Sequence, residues 1–96
     1  MSIAGAYPES GVRIEVQRPR AGGPPWVYEG EAVTPSRRYR LSAQLEDNGT
    51  VTIELPDDAP VAIAAKARLI VRAAWKHARE DAVPPPRRIM RWRAQR

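Results

Sequence analysis

A chain of 96 residues with no cysteine and a formal charge of +5 makes one small domain that neither disulfides nor a thiolate-held metal can staple. At this length folding buries somewhat over ~60% of the unfolded surface, enough for a single thin core. The start, Met1–Pro8, lacks the basic and apolar regions of a secretory signal, and the most apolar run, Ala59–Ala65, falls far short of the ~20 residues that cross a bilayer. A soluble cytoplasmic protein with no membrane insertion is expected.

Residues 1–11 are small and polar, with Pro8 and Gly11, and read as a flexible N-terminus. Val12, Ile14 and Val16 then alternate with Arg13, Glu15 and Gln17, the period-2 pattern of a half-buried strand, which Pro19 ends. Ala21–Pro25 reads as a turn or loop. A weaker strand candidate covers 26–33, where Gly30 suggests a bulge or bend. The clearest strand runs from Arg38 to Glu46, with Tyr39, Leu41, Ala43 and Leu45 on one side. Its partner, Thr50–Leu55, turns Val51, Ile53 and Leu55 inward. Directly opposed residues share a face, so Leu45 should oppose Val51 and Ala43 should oppose Ile53. That parity requires a three-residue loop, Asp47-Asn48-Gly49, with Gly49 left-handed in a G1 bulge.

Pro56–Pro60 reads as a helix start, with Asp58 as N-cap and Pro60 in the first turn. The alanine-rich run that follows favours helix to about Ala82. At ~100° per residue, Ile63, Ala67, Ile70, Val71, Ala74 and Ala78 fall on one face, and Arg68, Arg72, Lys76 and Arg79 on the opposite one. Pro84, Pro85 and Pro86 then forbid helix and favour extended chain. The expected fold is α+β: an antiparallel three- to four-stranded β-meander with one long C-terminal helix packed on one face, followed by an extended basic tail. The domain spans 12–83. The Pro-led, Arg-rich tail, 84–96, alternates Met90 and Trp92 with arginines as an added edge strand would, in which case Trp92 covers Leu69 or Trp75. A helix of ~36 Å outruns strands of ~23 Å, which should leave Trp75, Lys76 and Arg79 beyond the core. By the same division, removal of the tail should leave the core folded.

Enzymatic constellations are absent from the pattern. His77, the one histidine, stands four residues before Asp81, but Ser2, Ser10, Ser36 and Ser42 fall in no strained elbow, and an i,i+4 ion pair accounts for the two residues. Glu46-Asp47 and Asp57-Asp58 lack the spacing of a calcium loop and serve turn formation and capping. Gly22-Gly23 lacks the Lys-Ser/Thr of a phosphate loop. No catalytic residue, metal or cofactor is expected.

Charge distribution says more than its total. Residues 1–83 carry as many acids as bases, so the net +5 belongs to 84–96, where Arg87, Arg88, Arg91, Arg93 and Arg96 meet no acid. On the helix, Arg68, Arg72 and Lys76 step at i,i+4 with Arg79 on the same side, a like-charge row that Glu80 relieves only at Lys76. The meander followed by a helix is broadly similar, in topology alone, to one class of single-strand-binding proteins. The outer sheet face of the meander, however, offers no stacking ring. Arginine forks suit phosphate, and Trp92 suits a base or an apolar partner. The expectation is therefore a non-enzymatic binding module that meets an anionic partner, foremost nucleic acid, through Arg68, Arg72, Lys76, Arg79, Arg87, Arg88, Arg91, Trp92, Arg93 and Arg96. The alternative is a protein-interaction subunit or small homodimer anchored by Trp75, Met90 and Trp92.

Overall fold

The computed structural model describes residues 11–18 and 22–93; the rest of the expected flexible N-terminus and Arg96 lie outside the described residues, as does the side chain of Arg93. The elements are β1 (Val12–Gln17), β2 (Trp26–Val33), β3 (Arg38–Leu45), β4 (Val51–Glu54), α1 (Val61–Glu80) and β5 (Arg88–Arg93). The strands form one antiparallel sheet in the order β4-β3-β2-β1-β5, and α1 packs against β3, β4 and β5. The fold is thus α+β with five strands, one more than the largest count expected, and the helix is followed by a strand.

Alternation builds the core. Val12, Ile14 and Val16 of β1, Tyr28 and Ala32 of β2, and Tyr39, Leu41, Ala43 and Leu45 of β3 all turn to the helix side and are buried. They meet Ile63, Ala67, Ile70, Val71, Ala74 and Ala78, the helix face expected from the periodicity. The hairpin register also holds: Leu45 pairs with Val51 and Ala43 with Ile53, and Gly49 has φ +91°. Glu46 N–H donates to the Thr50 carbonyl at 2.9 Å, closing the three-residue loop.

Two local expectations change. β2 runs unbroken through Gly30, which pairs with Val16 on one side and Leu41 on the other. A Cβ there would run into the Glu15 carbonyl and the Val16 Cα, so the glycine serves close approach of β1 and introduces no bulge. The helix N-cap is Pro60, with no side-chain cap, because Asp58 Oδ2 instead accepts from Arg37 Nη2 at 2.6 Å. At the other end the helix closes in a Schellman motif, with Val83 N–H donating to the Ala78 carbonyl at 2.9 Å and Ala82 N–H to Arg79 at 3.1 Å. The left-handed position, usually glycine, is Ala82 at φ 56°.

The proline-led segment is built into the sheet. β5 pairs with β1 from Val12↔Arg93 to Gln17↔Arg88, and Ile89 is 2% exposed in the core. Tyr28 Oη donates to the Pro86 carbonyl at 2.6 Å, Arg18 Nη2 to Pro85 at 2.7 Å, and Arg18 N–H to Arg87 at 2.8 Å. Residues 85–87 are therefore clasped by side chains and backbone from β2 and the end of β1.

Candidate functional site

The outward face of α1 carries Arg68, Arg72, Lys76 and Arg79, all exposed. The i,i+4 steps from Arg68 to Arg72 to Lys76 place those cations ~6 Å apart along the axis, and Arg79 follows Lys76 by three residues, ~4.5 Å further. Among the described residues no carboxylate pairs with Arg68, Arg72 or Lys76. Glu80, expected beside Lys76, lies instead 3.8 Å from His77 Nδ1, and this contact replaces the expected His77–Asp81 pair. Arg79 lies over the Trp75 ring, 5.4 Å from its centroid. Arg72, Lys76, Arg79 and Glu80 surround Trp75 in an open groove.

Trp75 does not stand clear of the core. It is half-buried and packed against it, with ring carbons 2.7–2.9 Å from where a Cβ on Gly49 would sit. The missing side chain of the hairpin glycine is what lets the ring settle there. On its other side Trp75 shares a cleft of about 360 Å³ with Trp26, Ala78, Ala82, Pro84 and Pro85, rimmed by Arg79 and Asp47. Trp26 arrives through the pairing of β2 with β3, which sets it opposite Leu45, next to the hairpin loop that bears Asp47. Its Nε1 donates to the Gly22 carbonyl at 3.0 Å.

Behind Pro85 lies an unusual charge. Arg18 is 8% exposed, bonded to the Pro85 carbonyl, and its guanidinium carbon is 5.9 Å from the centroid of the Tyr28 ring. Its Nε has no partner, and no described carboxylate pairs with it. A guanidinium so placed sets a positive charge beneath the adjoining surface, where low dielectric lengthens its reach. Burial raises the Tyr28 phenol above its ordinary value, while the charge of Arg18 and its contact with the phenol pull it partly back.

The eight expected site residues whose side chains are described do not form one surface. Pairing with β1 puts Arg88 and Trp92 opposite Gln17 and Arg13, on the sheet face away from α1, whereas Arg91 pairs with Ile14 on the helix side. Arg88 is committed to Glu15, with its Nε 3.1 Å from Oε2 and a second, shorter contact from Nη2. Arg91 Nη1 donates to the Met90 carbonyl at 2.7 Å. Arg87 is exposed, and Arg93 belongs to β5 through its backbone. Trp92 therefore covers neither Leu69, which is 67% exposed, nor Trp75. It gives the outer sheet face an aromatic after all, 52% exposed beside Met90 at 47%. The meander alone has no ring on this face; β5 adds one through its pairing with β1.

Sequence reasoning missed Trp26, Asp47 and the two prolines as partners of Trp75 in one cleft, and Arg18 as the side chain that holds Pro85. The hairpin register was the usable signal: it fixes which end of the sheet holds the loop, and a β2 register would then have placed Trp26 there. Among the described residues no group of three or more His, Asp or Glu converges as a metal site would need, and no helix is long and apolar enough to cross a membrane. Comparison with protein-family models, with curated proteins and with solved structures finds no match.

Proposed function

We propose that this protein is a small non-enzymatic module of the cytoplasm that binds nucleic acid through the outward face of α1. The observation that carries this reading is the cluster of Arg72, Lys76 and Arg79 around half-buried Trp75. Cations supply phosphate contact and the ring supplies a stacking surface, the two components of single-strand recognition. Like charges at i,i+4 cost a helix a few tenths of a kcal/mol per pair, and no described acid relieves Arg68 or Arg72. An anionic partner turns that repulsion into attraction. Arg87 and Arg91 add to the field, while Arg88 contributes less because Glu15 neutralises it.

The test is a salt titration of labelled oligonucleotides by fluorescence anisotropy. Replacing Arg68, Arg72, Lys76 and Arg79 together by alanine should flatten the slope of log K against log salt by up to about 2.8 on single strands, one contact per cation. Unchanged slope and affinity would remove the helix face from the binding site.

A second reading rests on Met90 and Trp92. Both are exposed on β5, which among the described residues has only β1 beside it, and a protein partner or second copy could extend the sheet there. Salt-insensitive association with a defined mass in light scattering, lost in Trp92→Ala, would favour it.

A further inference from the structure

We infer that the cleft between Trp26 and Trp75 receives one unpaired base of a single strand, with the base's amino edge toward Asp47 and its phosphate at Arg79. This rests on the proposed binding by α1 and names its substrate class. The cleft, about 360 Å³, is of the size that encloses a small planar ligand. Its walls are held in place: Trp26 by its bond to the Gly22 carbonyl, Trp75 by its seat over Gly49, and Pro85 by Arg18. Aromatic and proline walls favour a flat ring over an alkyl chain.

The rim is electrically polar. Arg79 offers a fork to phosphate, and the buried charge of Arg18 behind Pro85 reinforces that sign. Asp47 repels phosphate but accepts hydrogen bonds, which suits the exocyclic amine of cytosine or adenine and not the carbonyl of thymine. Trp75 and Arg79 line both the cleft and the groove of Arg72 and Lys76, so a strand leaving the cleft passes straight onto the cationic row. A base in a duplex cannot enter without unstacking, so single strands are preferred.

The experiment compares oligocytidylate, oligothymidylate and a mixed duplex on the full chain, wild type and variants. Trp26→Ala should weaken oligocytidylate binding about 5- to 150-fold and leave duplex binding unchanged. Trp26 packs against the core, so Asp47→Ala, exposed in its turn, serves as the variant that keeps the fold; it should erase the preference for cytidylate over thymidylate. Wild-type binding by both variants, with binding still lost in the four-cation variant, overturns the cleft and leaves the helix-face reading standing. A wild type that binds no nucleic acid overturns both.

Discussion

Gly49→Ala probes the contact that joins the hairpin to the candidate site. A Cβ in the left-handed region costs about 1–2 kcal/mol, and sequence alone would stop there. At φ +91° that Cβ would also lie 2.7 Å from the Trp75 ring, well inside contact distance, and overpacking of this kind adds about 1–3 kcal/mol. The expected total is about 2–5 kcal/mol, a large part of the stability of so small a domain. In thermal melts followed by circular dichroism this lowers Tm by at least about 8 °C.

The two contributions separate in a double-mutant cycle. In a Trp75→Ala background the strain of the positive φ remains and the clash is gone, so Gly49→Ala should cost about 1–2 kcal/mol there. A coupling of at least about 1 kcal/mol between the sites is the expected result. Strict additivity, with Gly49→Ala costing the same in both backgrounds, would mean that the ring does not rest on the loop, and the cleft would lose its fixed wall.

Ala82→Gly should stabilise by up to about 1 kcal/mol, because glycine adopts φ 56° freely where alanine does not; a lower midpoint in urea would argue against the Schellman closure. Tyr28→Phe should cost about 1–3 kcal/mol at neutral pH by leaving the Pro86 carbonyl without its donor. Burial sets the folded phenol above the unfolded one, so its share of stability is whole below about pH 10 and is lost as pH rises through that value toward the folded one; Tyr28→Phe should flatten this alkaline limb in denaturant titrations. Deleting 84–96 removes buried Ile89, worth about 1.5–3 kcal/mol, and strips partners from Tyr28 and Arg18, about 1–3 kcal/mol each. The deletion should abolish the cooperative melt; an intact melt would place β5 outside the cooperative unit.

Elements with strong periodicity were legible. The alternation of β1 and β3, the parity of the β3–β4 hairpin and the six buried positions of α1 each follow from the spacing of apolar residues, and each stands as read. What sequence could not weigh was competition among long-range partners. Asp58 has the side chain of an N-cap but meets Arg37, which the fold brings from the β2–β3 turn. Glu80 is spaced to meet Lys76 but meets His77. Tyr28 reads as an ordinary β-former, yet its hydroxyl fixes Pro86, fifty-eight residues on. Such choices depend on distances that exist only once the sheet has closed.

The tail shows the same limit for function. Counting charge pointed to 84–96, because the net +5 resides there. Counting treats every arginine as available, whereas an arginine in a strand is placed by register and paired by its neighbours. Register sends Arg88 to Glu15 and turns Trp92 to the sheet face away from α1, while the strand's backbone completes the sheet. Residues 1–83 balance in sum, but their bases and acids are segregated: the helix Val61–Glu80 holds Lys66, Arg68, Arg72, Lys76 and Arg79 against Glu80 alone. Arg68, Arg72 and Lys76 have no described acid partner and project from one rigid element beside a tryptophan held by the core. Local imbalance on a fixed scaffold, rather than net charge, is what a phosphate chain would meet, and it is the reason the proposed binding surface is drawn on α1.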